Sequence, residues 1–173
     1  HLTCVNSTKS DIETILGDFN SCGIENILAL RGDINPEKPP KDDFRYASEL
    51  ITFIKEHGEF CIGGACYPEV HPESACQKED IRFLKKKAQA GCEFFTTQMF
   101  FDNNLFYNFL YKIREAQITL PVIAGIMPIT NANQVKKAIK LSGSFMPRRF
   151  ESLVDTFGSS PEAMKQAGII YAS

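Results

Sequence analysis

The sequence predicts an α/β fold of parallel strands, each followed by a helix, and three observations carry that expectation. Short, continuously apolar runs recur about every 30 residues, as strands buried on both faces must. Segments with apolar residues at helical spacing lie between them. Each of those segments opens on a capping side chain or closes on a glycine. Such alternation calls for right-handed crossovers, in either a doubly wound sheet or a (β/α)8 barrel. A complete barrel takes ~250 residues, so a chain of 173 residues would supply only part of one.

The elements follow in order. Thr8-Lys9-Ser10-Asp11 reads as a capping box opening a first helix, with Ile12, Ile15, Leu16 and Phe19 on one face and Gly23 as its left-handed end. A strand is predicted over Asn26–Leu30. Ala47, Leu50, Ile51 and Ile54 mark a second helix closed by Gly58, and a strand follows over Phe60–Cys66. A third helix spans about Glu79–Ala90, with Ile81, Leu84 and Ala88 inward and Gly91 as its stop. The next strand is Phe94–Phe100. Asp102 caps a fourth helix carrying Leu105, Phe109 and Ile113, ahead of a strand over Pro121–Ile126. Asn131 caps a fifth helix with Val135, Ala138 and Ile139, and Pro147–Ser173 reads as two more helices. The Pro-containing stretch Asn35–Lys41 sits inside one unit as a loop over the mouth.

Composition narrows the class. With 43% hydrophobic and 23% charged residues, the chain is apolar enough to fold as one domain. A net charge of −2 offers no field to attract nucleic acid or a membrane surface. No apolar run approaches the ~18 residues of a membrane span, and no signal peptide is read. None of the six cysteines forms a C-x-x-C pair. Cys22 and Cys92 flank helix-closing glycines, and Cys61 and Cys66 lie in a strand, so reduced thiols in a cytoplasmic protein are expected. The apolar start at His1–Val5 and the helical pattern up to Ser173 suggest an internal piece of a longer domain.

Each strand runs straight into a polar cluster. The clusters are Arg31-Gly32-Asp33, then Tyr67 to Glu73, then Thr96-Thr97-Gln98 with Asp102, then Gly125 to Thr130. Ligands of parallel α/β folds bind at the carboxyl ends of strands, so four clusters on one rim imply a site. Singly, each has a plainer meaning. Gly32 serves a turn, His71 is a hydrogen-bonded loop residue, and Lys85-Lys86-Lys87 is a solvated face. Glu69, His71 and Glu73 would share a metal only on an extended segment, and no second histidine stands nearby. A buried strand glutamine such as Gln98 needs partners. Nucleotide sites of the G-x-G-x-x-G and P-loop kinds have no matching sequence.

Taken together, His1-Leu2-Thr3-Cys4, Leu28 to Asp33, Tyr46-Ala47-Ser48, Tyr67 to Glu73, Asp80 to Lys87, Thr97 to Asp102 and Gly125 to Pro128 resemble the methylenetetrahydrofolate reductases. The resemblance covers nearly the whole chain and lies in the order and spacing of these motifs. It implies a single flavin-binding (β/α)8 barrel domain over 1–173, incomplete in this chain: the first strands, with a catalytic glutamate, and the last strand are absent. It implies FAD at the carboxyl rim, with reduction of 5,10-methylenetetrahydrofolate by a ping-pong route. The donor is NAD(P)H or a reduced electron-carrier protein. By position, His1, Arg31, Gly32, Asp33, Tyr46, Ala47, Tyr67 and His71 would line the FAD, and Asp80, Lys86 and Lys87 would reach its ribose and pyrophosphate. Asp33 would be catalytic and touch both flavin and folate, and Gln98 and Gln134 would touch the folate. Ala138 stands where some members carry a stacking aromatic. The piece alone is expected to be inactive and, through open strand edges, to pair with itself or a partner subunit. A packing or interaction module without catalysis is the alternative. A barrel enzyme for a phosphorylated substrate without flavin is a third reading.

Overall fold

A computed structural model describes residues 1–35, 37 and 39–173, with the side chains of Lys136 and Leu141 left aside. Within Asn35–Lys41, read above as a loop, Pro36 and Lys38 lie outside the described residues. The described elements alternate as expected: β1 (Leu2–Thr3), α1 (Lys9–Ser21), β2 (Asn26–Leu30), α2 (Ala47–His57), β3 (Cys61–Cys66), α3 (Gln77–Gln89), β4 (Phe94–Thr97), α4 (Asn103–Glu115) and β5 (Val122–Ile123). Three helices follow: α5 (Ala132–Ser142), α6 (Arg148–Phe157) and α7 (Pro161–Ala172).

The five strands form one sheet in chain order, and every neighbouring pair is parallel. A doubly wound sheet reverses its strand order at a switch point. Among the described strands no reversal occurs, so the order is that of consecutive strands of a (β/α)8 barrel and not of a doubly wound sheet. One site face results, at the carboxyl ends.

Local chemistry sets the element ends. Thr8 and Asp11 form the capping box, the Asp11 amide donating to Thr8 Oγ1 at 3.1 Å and the Thr8 amide to Asp11 Oδ2 at 2.8 Å. Asp102 and Asn131 cap α4 and α5 through amides two residues on. Gly143, with φ of 67°, ends α5 in the left-handed region.

Two apolar cores form. The larger packs β1–β4 against α1, α2 and α4 through Leu16, Ile27, Leu50, Ile54, Ile62, Phe95, Phe109 and Ile113, all buried. The smaller joins the three last helices through Ile129, Ala138, Phe150 and Met164. Gly168 lets α7 lie directly on the backbone at Ile129, where a Cβ would run into the carbonyl oxygen.

Two strand expectations are corrected. The strand predicted over Phe94–Phe100 ends at Thr97, and the one predicted over Pro121–Ile126 contracts to Val122–Ile123. The ladders stop there: β3 runs out of partners at Cys66–Thr97, and β4 at Thr96–Ile123. The strand predicted from Phe60 starts one residue later, at Cys61. The short β1, which had been read only as an apolar stretch, pairs Leu2 with Ala29 and Thr3 with Leu30.

Candidate functional site

A cavity of about 700 Å³ opens at the carboxyl ends of β2 and β3, large enough for a dinucleotide-sized ligand. β2 delivers Arg31, Gly32 and Asp33 to it, and the start of α2 delivers Tyr46 and Ala47. The β3–α3 connection delivers Tyr67 and His71, and α3 itself delivers Asp80 and Lys87. These nine positions, spread from Arg31 to Lys87, are among those expected from sequence.

Gly32 shapes the rim. Its φ is 90°, and a Cβ there would stand 3.0 Å from Val5 Cγ1 and 3.2 Å from Thr3 Cβ. Only glycine meets both conditions without strain. The turn brings the Gly32 carbonyl to Arg31, whose Nε–H donates to it at 3.1 Å. The two Nη groups of Arg31 grip Glu73 side by side, at 2.6 and 2.7 Å. That fork raises the Arg31 pKa, and it lowers that of Glu73. Asp33 is exposed beside it and joins no ion pair among the described residues.

The β3–α3 connection is braced from within. Asp80 is buried, and both its oxygens are engaged: Oδ2 accepts the His71 amide at 2.7 Å, and Oδ1 accepts the Ser74 hydroxyl. His71 Nδ1 accepts the Glu73 amide at 3.1 Å, which puts the ring proton of the neutral form on Nε2. The His71 ring stands edge-on to Tyr67 at 4.5 Å. Burial pushes the Tyr67 phenol up, with Asp33 adding to the rise.

Lys87 projects from α3 through the cavity wall, and its ammonium donates to the Ala65 carbonyl at 2.7 Å. Burial lowers its pKa. A desolvated cation with one neutral partner is suited to an anionic group such as a phosphate.

Two expected residues do not line this cavity. His1 is exposed ahead of β1. Lys86 is exposed as well, its ammonium 5.4 Å from the centre of the Phe83 ring. One residue is a turn of 100° on a helix, so Lys86 and Lys87 cannot both face inward. Phe83 itself lines the cavity, stacked on Tyr46 at 5.6 Å between centroids, and sequence reasoning missed it. Its spacing of four before Lys87 was the available signal. Glu73, part of the Tyr67–Glu73 cluster, was offered a role of its own only as a metal ligand with Glu69 and His71, yet these three side chains go separate ways: Glu73 to Arg31, His71 to a backbone amide, Glu69 to the Phe145 amide.

The expected folate residues lie elsewhere. Gln98 follows β4, half-buried, with Oε1 turned back to its neighbour's amide at 3.0 Å. Gln134 is exposed on α5. Ala138 is buried in the smaller core, so that position does not face a ligand here.

The family model described as methylenetetrahydrofolate reductase matches residues 1–173. A 5,10-methylenetetrahydrofolate reductase of Escherichia coli is 36% identical over 97% of this chain and 56% of its own length. Methylenetetrahydrofolate reductase 2 of Saccharomyces cerevisiae is 38% identical over 97% of this chain and 29% of its own. The chain thus spans about half the length of the bacterial relatives it matches. Among solved structures, an uncharacterized protein from Clostridium thermocellum that binds two copies of 5-methyl-5,6,7,8-tetrahydrofolic acid superimposes with a TM-score of 0.59. It covers 98% of this chain and 58% of its own and, at 13% identity, the likeness is one of fold.

Proposed function

This chain belongs to the methylenetetrahydrofolate reductase family, and on that premise we propose that it carries the flavin-binding part of an enzyme reducing 5,10-methylenetetrahydrofolate to 5-methyltetrahydrofolate. The observation supporting this most is the cavity, which gathers nine of the expected cofactor residues. Its donor set fits FAD: one desolvated ammonium for a phosphate, one guanidinium, and aromatic faces at Tyr46 and Phe83. When bound, FAD would supply hydride carriage, taken from NAD(P)H or a reduced carrier protein and given to the folate after the donor has left.

The protein's share is orientation and field. Lys87 anchors an anionic group at the α3 side. Arg31 offers its remaining N–H groups from the β2 side. Asp33 places a carboxylate where added electrons would raise local negative charge, and so holds the flavin potential down. Gln98, turned to its own chain in this state, is the residue to rotate toward the pterin. The single-domain organisation over 1–173, a cytoplasmic location and association through the edges of β1 and β5 belong to the same proposal. Among the described residues, no helix is long and apolar enough to cross a membrane.

Titration of the chain with FAD, followed by flavin absorbance and fluorescence, tests this reading. Saturable binding is expected, weakened roughly ten- to hundredfold by Lys87→Ala, the scale of a lost charged hydrogen bond. No binding by the wild-type chain would sink the reading of this cavity and favour a packing module.

A further inference from the structure

We infer that Glu73 is a positioning residue that keeps Asp33 available to a ligand by holding Arg31 away from it. Arg31 and Asp33 flank Gly32 on one turn, and the Asp33 carboxylate acts on both Arg31 and Tyr67. Left alone, a guanidinium and a carboxylate two residues apart would pair, and each would cancel the other's field. Glu73 prevents this by geometry. It takes one N–H from each Nη side by side, while the Gly32 carbonyl takes Nε–H, so the two N–H groups left over lie in a plane that Glu73 sets. The planar fork is then fixed in orientation.

Glu73 is held in turn. Its own amide donates to His71 Nδ1, and the His71 amide donates to Asp80 at the start of α3. The clasp therefore ties the end of β2 to α3 through a chain of side chains. Its stabilising value is small, since the Glu73 side chain is 54% exposed. A half-exposed ion pair adds little to folding, but it decides which carboxylate Arg31 serves.

The functional half of this inference rests on the flavin reading above; the structural half does not. Glu73→Gln removes the charge and one of the two acceptors, and Glu73→Ala removes the side chain. Crystal structures and guanidinium NMR of both variants, after a melt confirms folding, are expected to show Arg31 turned to Asp33. Arg31 staying clear of Asp33 in both would overturn the inference whether or not flavin binds. With FAD bound, Asp33→Asn is expected to raise the flavin midpoint potential in the wild-type background. In the Glu73→Gln background that shift should fall to at most about a third of its size, a coupling that a double-mutant cycle reads directly. An equal shift in both backgrounds would also overturn it. Absence of flavin binding to the wild-type chain would count against the cofactor reading alone, with the ligand-free measurement still deciding the role of Glu73.

Discussion

The rim at β2–β3 and the rim at β4–β5 are built from the same kind of unit, yet they are finished differently. At β2–β3 the polar side chains hold one another: Arg31 with Glu73, His71 with the Glu73 amide, Asp80 with two partners. Nine of the positions expected to hold a cofactor converge on one cavity. At β4–β5, Gln98 bonds to its own neighbour, Gln134 is exposed, and Ile126 and Met127 are 62% and 42% exposed. The lesson is that neighbouring βα units suffice to shape the β2–β3 cavity, whereas the positions expected to touch a folate are not brought together by the described residues.

If the two rims are separable, damage to the smaller core should leave the β2–β3 rim intact. Gly168→Ala sets a methyl against the Ile129 carbonyl and is expected to cost about 3 kcal/mol in urea unfolding, the upper end for overpacking. Hydrogen exchange should quicken in α5–α7 and not in β2 or β3. Uniform acceleration would mean that the molecule has one cooperative unit and that the contrast fails.

A smaller effect sharpens the link between the rims. Glu69, after β3, accepts the Phe145 amide at 2.8 Å and leaves Oε1 without a partner. Burial raises its pKa, with Asp102 adding to the rise. The folded state therefore keeps a proton that the unfolded chain releases near 4.5. Stability should fall as pH rises from that value through the folded one, and the cost should persist at neutral pH. Glu69→Gln is expected to flatten this dependence and to stabilise the protein at pH 7 by a fraction of the Gly168→Ala cost. An unchanged pH profile in denaturation would remove Glu69 as the cause.

The smallest effect concerns thiols. Burial pushes Cys4 to about 11, Cys66 to about 12 and Cys92 to about 11, whereas Cys22 and Cys76 are exposed. At pH 8 a thiol reagent should reach Cys22 and Cys76 first. Early labelling of Cys66 would show that the β3 end opens in the native state.

Much of this was legible because some sequence signals are local. Asn26–Leu30 was readable to the residue, since the apolar run Ile27–Leu30 ends at Arg31 and is preceded only by the polar Glu25 and Asn26. The capping box at Thr8 and the left-handed Gly23 need only their own neighbours. The strand ends after Phe94 and Pro121 were not readable. Apolarity reports burial, and a ladder stops where its partner strand stops. The same division runs through the site. The turn glycine at 32 follows from its own segment, and lysine at 87 only from the family pattern, since its segment alone reads as a solvated face; the choice of Arg31 for Glu73 over Asp33 depends on a loop 42 residues on.

Strand order matching chain order has a consequence for biosynthesis. Each strand pairs with the one made just before it, from β1 with β2 to β4 with β5. A nascent chain leaving the ribosome can add each of β2 to β5 to an edge already in place. Folding of such a sheet can keep pace with translation, one crossover at a time, and each growing edge between β1 and β5 waits only for the synthesis of one helix before its next partner arrives, while the outer edge of β1 stays open.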